Sequence, residues 1–275
     1  MKLLLVFAIL FLLPSSAPAQ ELRIASDYER ALFRQRTWDE CVQHYAAAAD
    51  SGAEYTSISF YAAVCQANLG NFDAAFAELL SAVQHGLRAV DALHREAAFT
   101  PLQPDSRWAA LVSRCQLNAD RYERSLNPEL LRLFEADQAD RQPPIDEPAV
   151  MVRDESRRRR VLSLVRSASL VSAGDFFHAA FILQHSCLSD DYALAHRLAA
   201  RASALDPWDG GKRWLVAATK DRYLGSIGKA QVYGTQYIPI DGSVVNDEER
   251  LRMCVRPFLE TLDAIDRMNG RLRAK

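Results

Sequence analysis

Four short polar motifs in the second half of the chain carry residue types that can do chemistry: Asp137-Gln138-x-x-Arg141, Gln184-His185, Asp221-Arg222 and Gln231-x-Tyr233-Gly234-Thr235-Gln236. An arginine presents a planar fork of donors that matches a carboxylate or another anion. Arg141 or Arg222 would therefore hold such a group, with the amides of Gln138, Gln184, Gln231 and Gln236 fixing its orientation. His185 is a candidate acid or base because an imidazole titrates near neutrality. Thr235 offers a hydroxyl nucleophile, although no Gly-x-Ser-x-Gly elbow supports covalent catalysis. The candidate catalytic set is His185, Asp221 and Thr235; the candidate ligand-binding set is Asp137, Gln138, Arg141, Gln184, Arg222, Gln231, Tyr233 and Gln236. His178 and His185 stand seven residues apart with no HExxH or comparable ligand pair, and Walker, Rossmann and EF-hand patterns are absent. No metal and no cofactor is expected.

Plainer readings stand beside these. Asp137 and Arg141 are one helical turn apart, as in an ion pair worth a few tenths of a kcal/mol. His185 on an apolar helix also fits a satisfied core histidine. The sharper expectation is convergence, with Arg141, His185, Arg222 and Gln236 within about 10 Å of one another around one cavity.

The elements that must position these residues are mostly helical. Asn127-Pro128-Glu129 starts a helix running to about Arg141, and the proline-rich stretch from Gln142 to Pro148 must be a loop. Asp154-Glu155 and the four arginines from Arg157 to Arg160 read as a solvated helix start. From Asp175 to His185 the chain is apolar on nearly every side and reads as a buried helix, so Gln184 and His185 need polar partners. Helices follow over 191–205 and 209–224. Residues 230–245 switch to β-branched and aromatic types around Asp241-Gly242, which predicts a two-stranded hairpin with Gln231, Tyr233, Thr235 and Tyr237 on one face. A last helix runs from about Asp247 to Leu272, bent or interrupted at Pro257.

Taken in order, the four motifs resemble an uncharacterised bacterial domain family, number 6624 in the unknown-function series, over about residues 128–260. The Gln-x-Tyr-Gly-Thr-Gln strand preceded by Asp-Arg is the most specific part. The resemblance implies no reaction.

Shifting the first half by 34 residues aligns Trp38 with Phe72, Cys41 with Ala75, Val42 with Phe76, Tyr45 with Leu79 and Ala48 with Ala82. The segment from Ala63 to Ala75, with Gly70 at the turn and Phe72 and Ala75 packing one helix on the other, resembles a tetratricopeptide repeat. A third copy at Ser106, Ala109 and Ser113 is degenerate and reads as a cap, with Leu93, Phe99, Leu102, Trp108 and Leu111 closing the apolar flank. The fold expectation is mainly α: a TPR-like helical solenoid over 20–125, then a helical domain over 126–275 with one small β-hairpin. The resemblance implies a protein or peptide partner on the concave face; the alternative is that these helices pack on the neighbouring domain.

Residues 1–19 read as a signal peptide: Lys2, an apolar run from Leu3 to Leu13, Pro14, and Ala17-x-Ala19 as the cleavage site. The run is well short of the roughly 20 residues a bilayer span needs. A secreted or periplasmic protein with no membrane span after cleavage is expected. Five cysteines, an odd number, leave at least one thiol over; the reading favours buried thiols with one disulfide among Cys41, Cys65 and Cys115. With 33 Lys+Arg against 35 Asp+Glu there is no global positive field to gather nucleic acid. The main functional expectation is an exported protein- or peptide-binding module; the alternative is a hydrolase-like enzyme or small-ligand binder whose C-terminal pocket takes a small polar or anionic ligand.

Overall fold

The protein is described by a computed structural model at residues 22, 27–50, 56–236 and 238–273. The signal-peptide reading and its cleavage site, like Tyr237, lie outside the described residues.

The described chain is mainly helical. The first half builds α1 (Asp27–Gln35), α2 (Trp38–Asp50), α3 (Thr56–Asn68), α4 (Phe72–Gln84), α5 (Val90–Arg95), a 3-10 turn (Ala97–Leu102) and α6 (Ser106–Ser125). Helices begin at Trp38, Phe72 and Ser106, each 34 residues after the last, and Thr56 and Val90 open their partners at the same interval. Gly70, at φ 78°, makes the turn between α3 and α4 in a conformation that a side chain would strain. Ala63, Ala67, Ala75 and Ala82 let these two helices approach closely. Phe99, Leu102, Trp108 and Leu111 then cover the end of the same core.

Cys41 and Cys65 form a disulfide that staples α2 to α3. At a sequence separation of 24 such a link restricts the unfolded chain by about 3 kcal/mol. Cys115 and Cys254 are buried thiols outside any disulfide, and Cys187 is an exposed one.

The second half builds α7 (Pro128–Ala139), α8 (Glu147–Arg166), α9 (Ala173–Leu183), α10 (Ser189–Leu205), α11 (Gly210–Ser226), α12 (Asp247–Arg252) and α13 (Phe258–Arg273). The apolar α9 is central, with α7, α8, α10 and α11 packed against it. Side-chain caps set the helix starts: Asn127 accepts from Glu129 and Leu130 with Pro128 following, and Ser172 with Asp175 forms a capping box.

The two halves are joined by polar contacts as well as packing. The amide and hydroxyl of Thr56 at the start of α3 both donate to the Trp208 carbonyl at 2.9 Å, and His85 stacks on the Trp208 ring at 3.9 Å. Arg88 pairs with Asp209, which Lys212 also holds at 2.7 Å. Cys254 from the end of the chain sits in the core formed by α1, α2 and α3.

The expected β-hairpin is not formed. Residues 230–245 make an irregular loop whose sole bridge among the described residues joins Gln231 and Ile240. The reason is that side chains take the places of a partner strand. The Asp221 carboxylate accepts the amides of Val232, Tyr233 and Thr235, and Arg250 donates to the carbonyls of Val232 and Tyr233. Gln231 bridges the loop from inside, donating to the Gln236 and Ile238 carbonyls and accepting the Gln236 amide at 2.8 Å. Gly234 completes the loop at φ 81°, and a Cβ there would meet Thr261 of α13 at 2.1 Å. Among the described residues no helix is long and apolar enough to cross a membrane.

Candidate functional site

The seam between α7 and α9 places the first group. Phe134 on α7 stacks on His178 of α9 at 4.4 Å between ring centres and meets Phe181 edge-on at 5.5 Å. One turn further along both helices the aromatic contacts give way to a polar one, where Asp137 meets His185 just past the end of α9. The Nδ1 atom of His185 lies 3.1 Å from Asp137 Oδ1. A carboxylate only accepts, so Nδ1 carries the proton and Nε2 of the neutral ring keeps its lone pair.

Around this pair closes a network of charge. Arg141 contacts Asp137 Oδ1 at 3.0 Å and donates to its backbone carbonyl at 2.7 Å. Its other nitrogen reaches Asp154 of α8 at 2.9 Å. Arg157, 6% exposed, joins Asp154 at 2.6 Å and Asp140 at 2.7 Å, and Arg153 holds Asp140 from the outside at 2.7 Å. Gln138 donates to Asp137 Oδ2 at 2.7 Å. Arg157 therefore does not belong to a solvated helix start: it lies against α7, and Arg158 turns the other way to pair with Asp191. The sequence signal for Arg157 is Asp154 three residues earlier, which puts both on the face that packs against α7.

Arg222 approaches from α11. Among the described residues no carboxylate pairs with it, and its Nε is buried without a hydrogen-bond partner. Its polar neighbour is the Tyr192 hydroxyl of α10, and it lies within electrostatic reach of both His185 and Arg141. Burial would raise the Asp137 carboxyl, but His185, Arg141 and Arg157 hold it below the usual carboxylate range. Burial pushes His185 below its ordinary value and outweighs the pull of Asp137, with Arg141 and Arg222 adding to the shift. The Arg222 guanidinium is lowered by the same desolvation, with Tyr192 opposing. His185 is thus neutral at pH 7, within electrostatic reach of an arginine that pairs with no carboxylate among the described residues.

The second group surrounds Asp221, the neighbour of Arg222 on α11 and about 100° around the helix from it. Asp221 is fully buried and accepts four hydrogen bonds, three from loop amides and one from the Thr235 hydroxyl at 2.8 Å. Gln236 donates to Thr235 Oγ1, and the Tyr233 hydroxyl faces Glu249 at 3.5 Å. Among the described residues no hydrogen bond or ion pair joins this group to the Asp137 group.

The sequence candidates therefore fall into two sets, which Arg222 and Asp221 reach from neighbouring positions of α11. Asp137, Gln138, Arg141, His185 and Arg222 come together. Asp221, Gln231, Tyr233, Thr235 and Gln236 build the loop, with the Thr235 hydroxyl directed at a carboxylate that already takes three amides. Gln184 is buried beside His185 with its Oε1 unpartnered and bonds to neither set. Asp140, Asp154, Arg157 and Tyr192 are the additions that the fold brings to the first set. Among the described residues no three His, Cys, Asp or Glu side chains gather as metal ligands would. No family model, curated protein sequence or solved structure matches the chain.

Proposed function

We propose that the C-terminal half binds a small anionic ligand, with Arg222 receiving the negative charge and His185, oriented by Asp137, exchanging a proton with it. The observation that carries this reading is the buried Arg222 Nε without a hydrogen-bond partner, within electrostatic reach of a histidine whose Nδ1 is fixed by Asp137. A carboxylate, an imidazole and a site for charge within reach of it are the parts that general acid or base catalysis uses. A hydrolase-like proton transfer and simple binding both use these parts. Export to an oxidising compartment belongs to the same proposal, supported by the Cys41–Cys65 disulfide and the signal-like first residues.

A second reading assigns function to the repeats as a protein- or peptide-binding surface. It is supported by helix starts that recur every 34 residues, the spacing of the tetratricopeptide-like self-match. Against it weighs the docking of α3 and of the segment after α4 onto the Trp208 and Asp209 corner, which commits part of that surface to the chain itself. The resemblance to the uncharacterised bacterial family stays with the C-terminal half and supports neither reading.

The test is native mass spectrometry of the purified protein beside Arg222→Gln and His185→Phe. A small molecule retained by the wild type and lost from Arg222→Gln supports the anion site. Protein partners carried equally by all three, with no small molecule in any, would move the function to the repeats.

A further inference from the structure

One oxygen of Asp137 is approached by three nitrogens. His185 Nδ1 lies 3.1 Å from Oδ1, Arg141 Nη1 3.0 Å and Arg157 Nε 3.8 Å, while Gln138 donates to Oδ2. The first two separations are of hydrogen-bond length. The third is longer, and Arg157 Nε is buried without a hydrogen-bond partner. A buried guanidinium donor left unmet is costly, and here a carboxylate oxygen stands just beyond its reach. What holds it off is the grip on the other end of the side chain. Arg157 Nη2 meets Asp154 Oδ1 at 2.6 Å and Nη1 meets Asp140 Oδ2 at 2.7 Å. Asp154 turns its second oxygen to Arg141 Nη2 at 2.9 Å. A single carboxylate of α8 thus takes one nitrogen from each of the two arginines that face Asp137.

We propose that Asp154 is a positioning residue for His185: by drawing Arg141 and Arg157 toward α8, it keeps Arg157 Nε off Asp137 Oδ1 and leaves that oxygen to orient the imidazole. This rests on the reading of His185 as the proton-exchanging group and adds how its orienting carboxylate is protected. Without Asp154, Arg157 closes on Asp137 and satisfies its unmet donor, and Arg141 commits to the same oxygen. More positive charge then meets Asp137, and its bond to the imidazole weakens. Among the described residues no hydrogen bond or ion pair joins Asp154 to the ring, so the effect passes through Asp137.

The readout is the proton resonance of His185 Nδ1 at pH 7, which moves downfield as the bond to a carboxylate shortens. Asp154→Asn is expected to move it upfield, and adding Arg157→Gln to that variant to return it toward the wild-type position. Arg157→Gln alone is expected to move it downfield, which keeps the assignment testable should Asp154→Asn fail to fold; circular dichroism is recorded on every variant. A merely structural Asp154 would lower stability without moving the resonance. A wild-type resonance in folded Asp154→Asn, an upfield shift that persists when Arg157 is also replaced, or an upfield shift in Arg157→Gln alone would overturn the assignment. Native mass spectrometry judges the anion site separately. A small molecule lost from Arg222→Gln together with an unmoved resonance refutes the role of Asp154 alone; a moved resonance with no small molecule retained keeps that role and removes the anion site.

Discussion

Asp137 and Asp221 are both fully buried carboxylates in the C-terminal half, yet one is surrounded by side chains that can change charge or partner and the other by backbone that cannot. Asp137 meets an imidazole, two guanidinium groups and an amide side chain. Asp221 meets three loop amides and a hydroxyl. Burial of an acid is therefore a poor guide to its role; the nature of its donors is a better one. Backbone donors fix a conformation, whereas an imidazole and arginines held around a carboxylate keep proton affinity and charge available to a ligand.

The contrast is broken most directly at Asp221. Asp221→Ala strips four hydrogen bonds from one buried acceptor and leaves three loop amides and the Arg250 guanidinium without it. A loss of about 4 kcal/mol is expected in urea unfolding, in the range for removing one partner of a buried charged network. A loss below about 1 kcal/mol would mean that the loop does not depend on this carboxylate.

Asp137→Asn is expected to cost less, about 2 kcal/mol, because the amide still accepts from His185 or Arg141 and Asp154 remains to hold Arg141. Its more telling effect is on His185. Without the carboxylate, the proton is no longer confined to Nδ1, and nitrogen chemical shifts of the ring should show a smaller share of the Nδ1-protonated tautomer. The same spectrum in Asp221→Asn should match the wild type. A His185 tautomer that responds equally to both would erase the distinction between the two carboxylates.

Much of the fold is legible in the sequence because it rests on local rules. Asn127-Pro128-Glu129 caps a helix, Gly70 makes a turn, and the recurrence of Trp38 at Phe72 marks where helices begin. The loop over 230–245 is not legible, because the groups that decide it are distant. Val232, Tyr233 and Ile238 are strand-forming residue types, but Asp221 from α11, Arg250 from α12 and Thr261 of α13 claim the backbone and the space a hairpin would use. The site divides the same way. Asp137, Gln138, Arg141, His185 and Arg222 stand out by residue type. Arg157 hides within a run of four arginines, and its burial depends on which face of α8 meets α7. Nothing in the chain order indicates that the neighbours Asp221 and Arg222 serve separate groups.

The comparison is sharpened, with a smaller effect, by the two histidines of the α7–α9 seam. His178 has neither ring nitrogen hydrogen-bonded among the described residues, and burial pushes it down to about 3, with Lys212 and Arg88 adding and Asp175 opposing. His185 is also lowered by burial, but against the pull of Asp137. In both, the folded protein takes up a proton less readily than the unfolded chain, whose imidazoles titrate near 6.5. Protonation therefore favours unfolding, and stability falls as pH drops below about 6.5, by up to about 1.4 kcal/mol per pH unit for each histidine. Asp137 and Asp140 are held below their ordinary values, so their stabilising contribution is present above the usual carboxylate range and is lost only on further acidification. Between pH 6.5 and 4.5 the histidines thus dominate the slope. His178→Phe, which keeps a ring stacked on Phe134, is expected to reduce that slope by about 1.4 kcal/mol per pH unit in urea unfolding while leaving anion binding unchanged. His185→Phe should reduce the slope too, but with loss of the proton-exchanging group. A His178→Phe slope equal to that of the wild type would mean that His178 gains a proton in the folded state as easily as in the unfolded one, and the seam would then hold two equivalent histidines instead of one buried ring and one poised base.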